Sequence, residues 1–235
     1  LRREGYEVEV GKPEVIYKTI DGQKCEPFED VNIVAPQEYL GTITQEMGKR
    51  FAVLSHMDPV SDKEVEFVYK MPTRAILGLR SLLLTATKGT VIFNSQFLDF
   101  EPVGPALPKM RRGVLIATDS GEALSYGLQA AQERGVTFVE PGDAIYEGQI
   151  VGSNAKAEDI EINACKGKQL TNMRSKSSDG VIQLVPATKF SLEQCLDFLE
   201  SDELLEITPL NLRLRKKYLT QVDRRRHRDE IKNAY

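Results

Sequence analysis

The sequence predicts an α+β protein in which a split βαβ unit is followed by a strand-rich domain with short helices. Three observations support this prediction. Residues 28–100 show apolar patterns in the order strand, helix, strand, strand, helix, strand. A proline-rich segment, EPVGPALPKM, interrupts the pattern at residues 101–110. Beyond it, most apolar runs are short and bounded by glycine, proline or polar residues.

The first unit begins with FEDVNIV, which predicts a strand. The segment QEYLGTITQEMGKR then places Tyr39, Leu40, Ile43 and Met47 on one helical face. FAVLSHM and EVEFVYKM predict a hairpin, because the second run alternates apolar and polar residues after a polar turn. TRAILGLRSLLLTATKG has the length of one helix ending near Gly89, and TVIFNSQFLDF predicts the last strand. This order is that of a ferredoxin-like unit.

The second domain opens with GVLIATDSGEALSYG, which predicts a hairpin about Ser120 and Gly121, and a short helix follows before Gly135. Strands are predicted in VTFVE, AIYEGQIVG, DIEINAC and VIQLVPA. Ser191 and Gln194 have the spacing of a capping box, which predicts the start of another helix. The last elements are strand pieces in LLEITPLNLRLR and a basic helix in YLTQVDRRRHRDE.

Composition sets the broad class of protein. The 235 residues are 41% hydrophobic and 28% charged, which is typical of a globular protein rather than a disordered or fibrous one. No apolar run approaches the roughly 20 residues of a membrane helix, and the first residues lack the apolar stretch of a signal peptide. We therefore expect a folded cytoplasmic protein without a membrane partner. Residues 1–22 offer about one strand and the end of a helix, too little to bury their own apolar residues, and we expect the chain to be the C-terminal part of something longer.

Charge is unevenly distributed along the chain. The net charge is −4, but residues 211–228 hold eight cations against the single acid Asp223. This tail therefore carries +7, which leaves −11 on the remainder. The cations of the tail are Arg213, Arg215, Lys216, Lys217, Arg224, Arg225, Arg226 and Arg228. Only Asp223 before RRRHR and Asp229 and Glu230 after it could pair with these arginines along the helix, so the cluster is largely unpaired. Clustered, largely unpaired arginines favour contact with RNA phosphates, although a merely solvated helix face is the alternative.

A second basic stretch, KGKQLTNMRSKSSDG, begins at residue 166 and has neither a helical nor a strand period. Cations alternate there with amide and hydroxyl groups, as in an RNA-binding loop, while a plain surface loop is the alternative. The candidate RNA-binding residues of this loop are Lys166, Lys168, Asn172, Arg174 and Lys176.

Signatures of catalysis are missing from the sequence. None of its three Gly-Lys pairs is followed by the Ser or Thr of a phosphate-binding loop, and it has no GxSxG or HExxH motif. His56 and His227 lack a sequence partner, and we expect His56 to be a structural residue of a strand. The three cysteines form no CxxC pair, so they do not predict a zinc site. We therefore expect no catalytic residue, metal or cofactor in this chain.

Longer motifs point to a family. The chain contains five such motifs, in the order PEVIYKTIDGQKCEPFEDV, MPTRAILGLRS, IYEGQIVG, KGKQLTNMRS and LEITPLNLRLRKKYLTQVDRRR. Together they closely resemble the C-terminal half of the TypA/BipA translational GTPases. One departure is visible. Ala75 stands where the family usually has glycine in RGLIG, which puts in doubt any role that needs a bare glycine there.

The resemblance implies a domain order. Residues 1–24 would end one ferredoxin-like domain, residues 25–104 would form a second one similar to domain V of elongation factor G, and residues 105–235 would form the family-specific domain. The GTPase domain, which binds GTP and Mg²⁺, would lie outside this chain, so the chain alone would not be an enzyme.

The resemblance also implies partners. Family members bind the ribosome and act in ribosome assembly, translation and the stress response, and the 166–179 loop would reach the A-site tRNA. We expect a monomer that contacts ribosomal RNA and tRNA. The alternatives are a protein-interaction module without direct RNA binding and, less favoured, an enzyme acting on a small molecule.

Overall fold

The computed structural model of the chain describes residues 2–109, 111–167 and 182–233. Its strands are β1 (Val8–Gly11), β2 (Lys18–Ile20), β3 (Gln23–Pro36), β4 (Val53–Pro59), β5 (Glu64–Pro72), β6 (Ile92–Pro102), β7 (Val114–Ala117), β8 (Gly121–Glu122), β9 (Gly135–Thr137), β10 (Ala144–Ile145), β11 (Ile150–Asn154), β12 (Ile160–Ile162), β13 (Glu203–Ile207) and β14 (Leu212–Lys216). Its α-helices are α1 (Leu40–Lys49), α2 (Thr73–Ile76), α3 (Leu79–Ala86), α4 (Ser125–Gln132), α5 (Leu192–Phe198) and α6 (Gln221–Asn233). Short 3-10 helices occur at Arg2–Glu4 and Gln37–Tyr39. Within these described ranges, no helix combines the length and apolar character needed to span a membrane.

The chain divides into two compact units. The first is Pro13–Met110, and the second combines Leu1–Lys12 with Arg111–Tyr235. The second unit is discontinuous because β1 pairs antiparallel with β13, with Val8 opposite Ile207. These units divide at residues 13 and 111, whereas the domain boundaries predicted from the sequence lie at residues 25 and 105.

The first unit has the predicted ferredoxin-like topology. Strand β3 lies between β5 and β6, and β5 lies between β3 and β4, with every pair antiparallel. The alternating residues of β5 bury Phe67, Tyr69 and Met71 against Ile43 and Met47 of α1, in one core with α3. The α+β prediction is therefore confirmed for this unit, including the helix and hairpin between β3 and β5.

One helix of this unit differs from the prediction. A single helix was expected over residues 73–89, but α2 ends at Ile76 and α3 begins at Leu79. Gly78 between them has φ +71°, a left-handed conformation that glycine adopts without strain and that interrupts a helix. The buried Arg50 donates a 2.6 Å hydrogen bond from Nη1 to the carbonyl oxygen of Ala75, which satisfies an acceptor left open at the break.

The second unit packs two sheets around a shared core. A four-stranded sheet has the order β12-β7-β11-β9, and a three-stranded sheet has the order β1-β13-β14. Ile116 and Ile150 of the first sheet share a core with Leu205 and Leu214 of the second and with Leu199 after α5. Helix α5 begins with the predicted capping box between Ser191 and Gln194.

Three predictions for the second unit are wrong. Residues 114–122 do not form a hairpin, because β7 pairs with β11 and β12 while β8 pairs with β10. AIYEGQIVG forms two strands, β10 and β11, separated by a turn at residues 146–149. The described part of VIQLVPA is not a strand, and its Val185 is held instead by the side-chain amide of Gln132, which bonds both its N–H and its carbonyl.

Candidate nucleic-acid interface

Helix α6 carries the predicted arginine cluster, and its first turn is capped. The backbone N–H of Asp223 donates to Oγ1 of Thr220 at 3.2 Å, and this hydroxyl donates to Oδ2 of Asp223 at 2.6 Å. Oε1 of Glu147 accepts a hydrogen bond from the backbone N–H of Gln221 at 3.2 Å. Acidic side chains at a helix N-terminus stabilise it, because the first N–H groups carry partial positive charge.

The outer side of α6 presents three arginines. Arg225, Arg226 and Arg228 are exposed, and within the described residues none of them forms an ion pair or a hydrogen bond. The nearby acid Glu230 lies 3.9 Å from Nδ1 of His227 instead. Exposed guanidinium groups without a carboxylate partner can bind phosphate oxygens with two hydrogen bonds each.

Arg224 has a different environment, and the expectation that the tail cations are unpaired is wrong for it. Its Nη2 lies 2.8 Å from Oε1 of Glu161, and its Nη1 donates to the carbonyl oxygens of Tyr218, at 3.2 Å, and Leu219. The side chain is only 9% exposed. The spacing rule missed this pair because Glu161 lies on another element of the chain.

Lys216 is buried in a cluster of acids. Its Nζ lies 2.7 Å from Asp159, 2.8 Å from Asp202 and 2.9 Å from Glu203, and its side chain is 3% exposed. Burial by itself lowers the pKa of Lys216, but Glu203, Asp202 and Asp159 together raise it above its ordinary value. The charged ammonium group is thus occupied by these three carboxylates inside the protein.

The other cations of β14 divide between paired and open positions. Arg215 bonds Oε1 of Glu9 at 2.5 Å through Nη2 and lies 2.9 Å from Glu206 through Nε. Burial alone would lower the pKa of Arg215, but Glu9 and Glu206 raise it. Arg213 is half-buried, whereas Lys217 is exposed. Arg215 and Lys216 therefore hold the fold together, whereas Lys217, the residue that follows β14, is an exposed cation next to α6.

Only the start of the predicted loop is described. Lys166 is exposed. It lies two residues beyond Ala164, whose carbonyl oxygen accepts a 2.9 Å hydrogen bond from the backbone N–H of Leu124. The remaining candidates of the loop, Lys168, Asn172, Arg174 and Lys176, lie outside the described residues. In the sequence, the loop follows β12. Glu161 of β12 forms the ion pair with Arg224 of α6.

The IYEGQIVG motif has a role that reasoning from residue types missed. Gly148 has φ +85°, and a Cβ there would lie 2.6 Å from the Cα of Leu219, so the chain entering α6 passes directly against it. Its carbonyl oxygen accepts from the N–H of Lys216 at 2.9 Å, and Gln149 forms an isolated antiparallel bridge with Arg215. The available signal was Gly148 itself, a glycine inside a strand-like run, which is typical of a close backbone approach.

The described residues do not fit the groups that a GTPase needs. Lys12 pairs with Glu200 at 2.9 Å, and Lys49 at the end of α1 pairs with Glu46 at 2.5 Å, so neither Gly-Lys pair forms a phosphate loop. Over the described ranges, no three His, Cys, Asp or Glu residues are grouped to hold a metal ion. His56 lies on β4, within a strand as expected, and its side chain is exposed.

Two family models match the chain and give its class: C-terminal domains of the kind found in elongation factor G and in TypA/BipA proteins. Residues 23–111 match the family model for the elongation factor G C-terminus, and residues 112–221 match that for the TypA/BipA C-terminal domain. The chain belongs to the TypA/BipA family and corresponds to its C-terminal part.

Curated relatives agree with this assignment. The chain is 40% identical over 227 residues to the large ribosomal subunit assembly factor BipA of Salmonella typhimurium, and the match covers 96% of this chain and 37% of that protein. The protein of the same name from Bacillus subtilis is 40% identical over 235 residues, which cover 100% of this chain and 38% of that protein. The chain thus spans less than two fifths of the length of these relatives.

Proposed function

We propose that this chain is the ribosome-contacting C-terminal part of a cytoplasmic, monomeric TypA/BipA-type protein that acts in assembly of the large ribosomal subunit. The observation that carries the proposal is the outer side of α6, where Arg225, Arg226 and Arg228 are exposed without partners among the described residues. The names of the relatives support the choice of the large subunit. Phosphates of ribosomal RNA match such a surface, because each bound cation releases condensed counterions.

The test replaces Arg225, Arg226 and Arg228 by alanine and measures co-sedimentation with large ribosomal subunits over a series of salt concentrations. If all three contact phosphates, the slope of log affinity against log salt falls by up to about three, since each lost contact removes close to one unit. Exposed cations contribute little to folding, so the melting temperature stays nearly unchanged.

A matched control removes the same charge elsewhere. Lys63, Arg80 and Lys88 of the first unit are also exposed, and their replacement by alanine should leave the salt slope as in the wild type. Equal losses in both triple variants would mean that only net charge matters. Binding that does not depend on salt, and that the α6 variant keeps, would overturn the proposal in favour of a protein-interaction module.

The finer part of the proposal concerns tRNA. We assign the contact with A-site tRNA, and with it a role in translation and the stress response, to the loop with Lys166, Lys168, Asn172, Arg174 and Lys176. Alanine at its four cations should weaken binding to ribosomes that hold an A-site tRNA more than binding to those with an empty A site. An equal effect on both would remove tRNA from the proposal.

The GTPase activity is assigned to the part of the relatives that this chain does not match. GTP and Mg²⁺ would act there, in a GTPase domain N-terminal to these domains. Titration of this chain with a fluorescent guanine nucleotide should therefore be flat, and saturable micromolar binding would contradict the assignment.

A further inference from the structure

We infer that Arg224 is a positioning residue rather than a phosphate contact, and that Glu147, Gly148 and Glu161 form a seat that fixes the orientation of α6. This inference rests on the proposed function, since the orientation matters for RNA binding. We call Glu147, Gly148 and Glu161 together the helix seat.

The first support is the use of both oxygens of Glu161. Oε1 accepts from Nη2 of Arg224 at 2.8 Å, and Oε2 accepts from the side-chain amide of Gln221. Gln221 and Arg224 are three residues apart and therefore share one side of the helix. One carboxylate thus holds the first turn of α6 at two points.

Glu161 itself is held in a rigid position. It lies in β12, where its neighbour Ile162 is buried in the core and its own backbone is paired parallel to Ile116 of β7. The backbone of a paired strand is already ordered, so a side chain on it is held more precisely than one on a loop. The pair with Arg224 can therefore define a direction for the helix.

The second support is the close passage of the backbone. A Cβ on Gly148 would lie 2.6 Å from the Cα and 2.7 Å from the carbonyl oxygen of Leu219, which is the residue before the capping Thr220. The neighbouring Glu147 accepts from the N–H of Gln221 at 3.2 Å. On the other side of Leu219, the N–H of Lys216 donates to the carbonyl of Gly148. The chain is thus fixed immediately before and at the start of α6.

The third support is the division of the helix into two sides. At 3.6 residues per turn, Arg224 and His227 share a side, and the ring of His227 lies 4.6 Å from that of Tyr218. Arg225 and Arg226 lie on other sides of the helix and are exposed, and Arg228, one turn beyond Arg224 and past the contact with Glu161, is exposed as well. For Arg224 to bind a phosphate, its guanidinium would have to give up Glu161 and two carbonyl oxygens. Its role in RNA binding is therefore to orient its neighbours.

The experiment exchanges the two charges. The variants are Arg224→Glu, Glu161→Arg and the double variant, and each is measured by hydrogen exchange of the α6 amides and by salt-dependent binding to large ribosomal subunits. Both single variants should speed exchange in α6 and weaken binding. The double variant should restore most of the protection and most of the binding, with the salt slope of the wild type.

A control and a conservative change keep the test decisive. Arg226→Glu should weaken binding without faster exchange in α6, because Arg226 does not touch the helix seat. If the reversed charges disturb the fold, which faster exchange in β7 would reveal, Glu161→Gln replaces Glu161→Arg and should show the same pattern at smaller amplitude.

The outcomes separate the inference from the proposed function. A double variant with a protected α6 but the full binding loss of Arg224→Glu would show that Arg224 contacts RNA itself and would overturn the inference. Unchanged exchange in α6 in both single variants would also overturn it. If the wild-type chain showed no salt-dependent binding, the proposed function would fail, while the exchange measurements would still decide whether the helix seat orients α6.

Discussion

Glu26 and Arg74 form an ion pair in which the carboxylate is completely buried. Nε of Arg74 donates to Oε2 of Glu26 at 2.5 Å, and Nη2 donates to Oε1 at 3.2 Å, while the Glu26 side chain is 0% exposed. The N–H of Gly104 adds a hydrogen bond to Oε1 at 2.9 Å, and Nη2 of Arg74 also reaches the carbonyl of Pro105 at 2.7 Å. One carboxylate therefore connects β3, α2 and the proline-rich segment.

We predict that Glu26→Gln lowers the free energy of unfolding of the first unit by about 3–5 kcal/mol, because it leaves a largely buried guanidinium without its counter-charge. Urea unfolding of wild type and variant measures the difference. The control is Glu101→Gln, which removes a partner of Lys70 in a pair whose side chains are each 35% exposed, and it should cost only about 0–1 kcal/mol. Equal costs would mean that burial does not set the strength of the Glu26 pair.

Lys216→Met should strongly destabilise the second unit, by about 3 kcal/mol or more, because it leaves Asp159, Asp202 and Glu203 without their shared cation. The three acids raise the pKa of Lys216 against the opposing effect of burial. A raised pKa gives stability that is complete below the unfolded pKa of about 10.4 and is lost only as pH rises through the folded value. The difference between wild type and variant in thermal unfolding should thus stay constant from about pH 6 to 9. A difference that shrinks across this range would contradict the assignment.

The cysteines should differ in reactivity. Cys195 is buried, and burial raises its pKa to about 11, whereas Cys165 is half-buried with a pKa raised by burial and by Asp119. We predict that iodoacetamide at pH 8 labels Cys165 first and Cys195 only on unfolding. Mass spectrometry of time points identifies the order.

A linked prediction concerns alkaline pH. The thiol of Cys195 ionises near pH 8.5 in the unfolded chain but near 11 in the folded one, so folding loses stability as pH rises through this window. Cys195→Ala should be less stable than wild type at pH 7 but should lose less stability between pH 8.5 and 11. Parallel pH curves for the two proteins would exclude this effect.

Gly148→Ala should loosen α6, because alanine at φ +85° is strained and its Cβ would also meet the backbone of Leu219 at 2.6 Å. The control is Gly142→Ala, since Gly142 has a similar φ of +93° but its Cβ would meet only a side-chain atom of Glu122 at 3.8 Å. Conformational strain of about 1–2 kcal/mol is common to both. A greater cost at Gly148, together with faster exchange in α6, would isolate the close approach to Leu219, and equal effects would argue against it.

The sequence predicts those parts of the structure that depend on local patterns. The alternation in β5, the helical face of Ile43 and Met47, and the capping box of Ser191 all act over a few residues, and each is found in the structure. The break at Gly78 was missed because the apolar pattern continues across it, and only the positive φ of the glycine interrupts the helix.

The candidate interface is less predictable for a related reason. The number and clustering of cations can be counted in a sequence, but their partners cannot. Glu161 is 63 residues from Arg224, and Asp159 is 57 residues from Lys216, so the topology decides which cations remain open. Arg225, Arg226 and Arg228 remain candidates because of where α6 lies, and not because of their residue type alone.

The pairing of β1 with β13 has a consequence for the order of folding. Glu9 and Arg215 bond across 206 residues of sequence, and the whole first unit lies between them. Contacts of such high sequence separation form late, because the chain must close a long loop before they add stability. During synthesis the first unit can fold as soon as it leaves the ribosome, whereas the three-stranded sheet of the second unit must wait until β13 and β14 have been made. Until then, β1 is an unpaired strand edge, and a nascent chain stalled before residue 203 would expose it to chaperones and to aggregation.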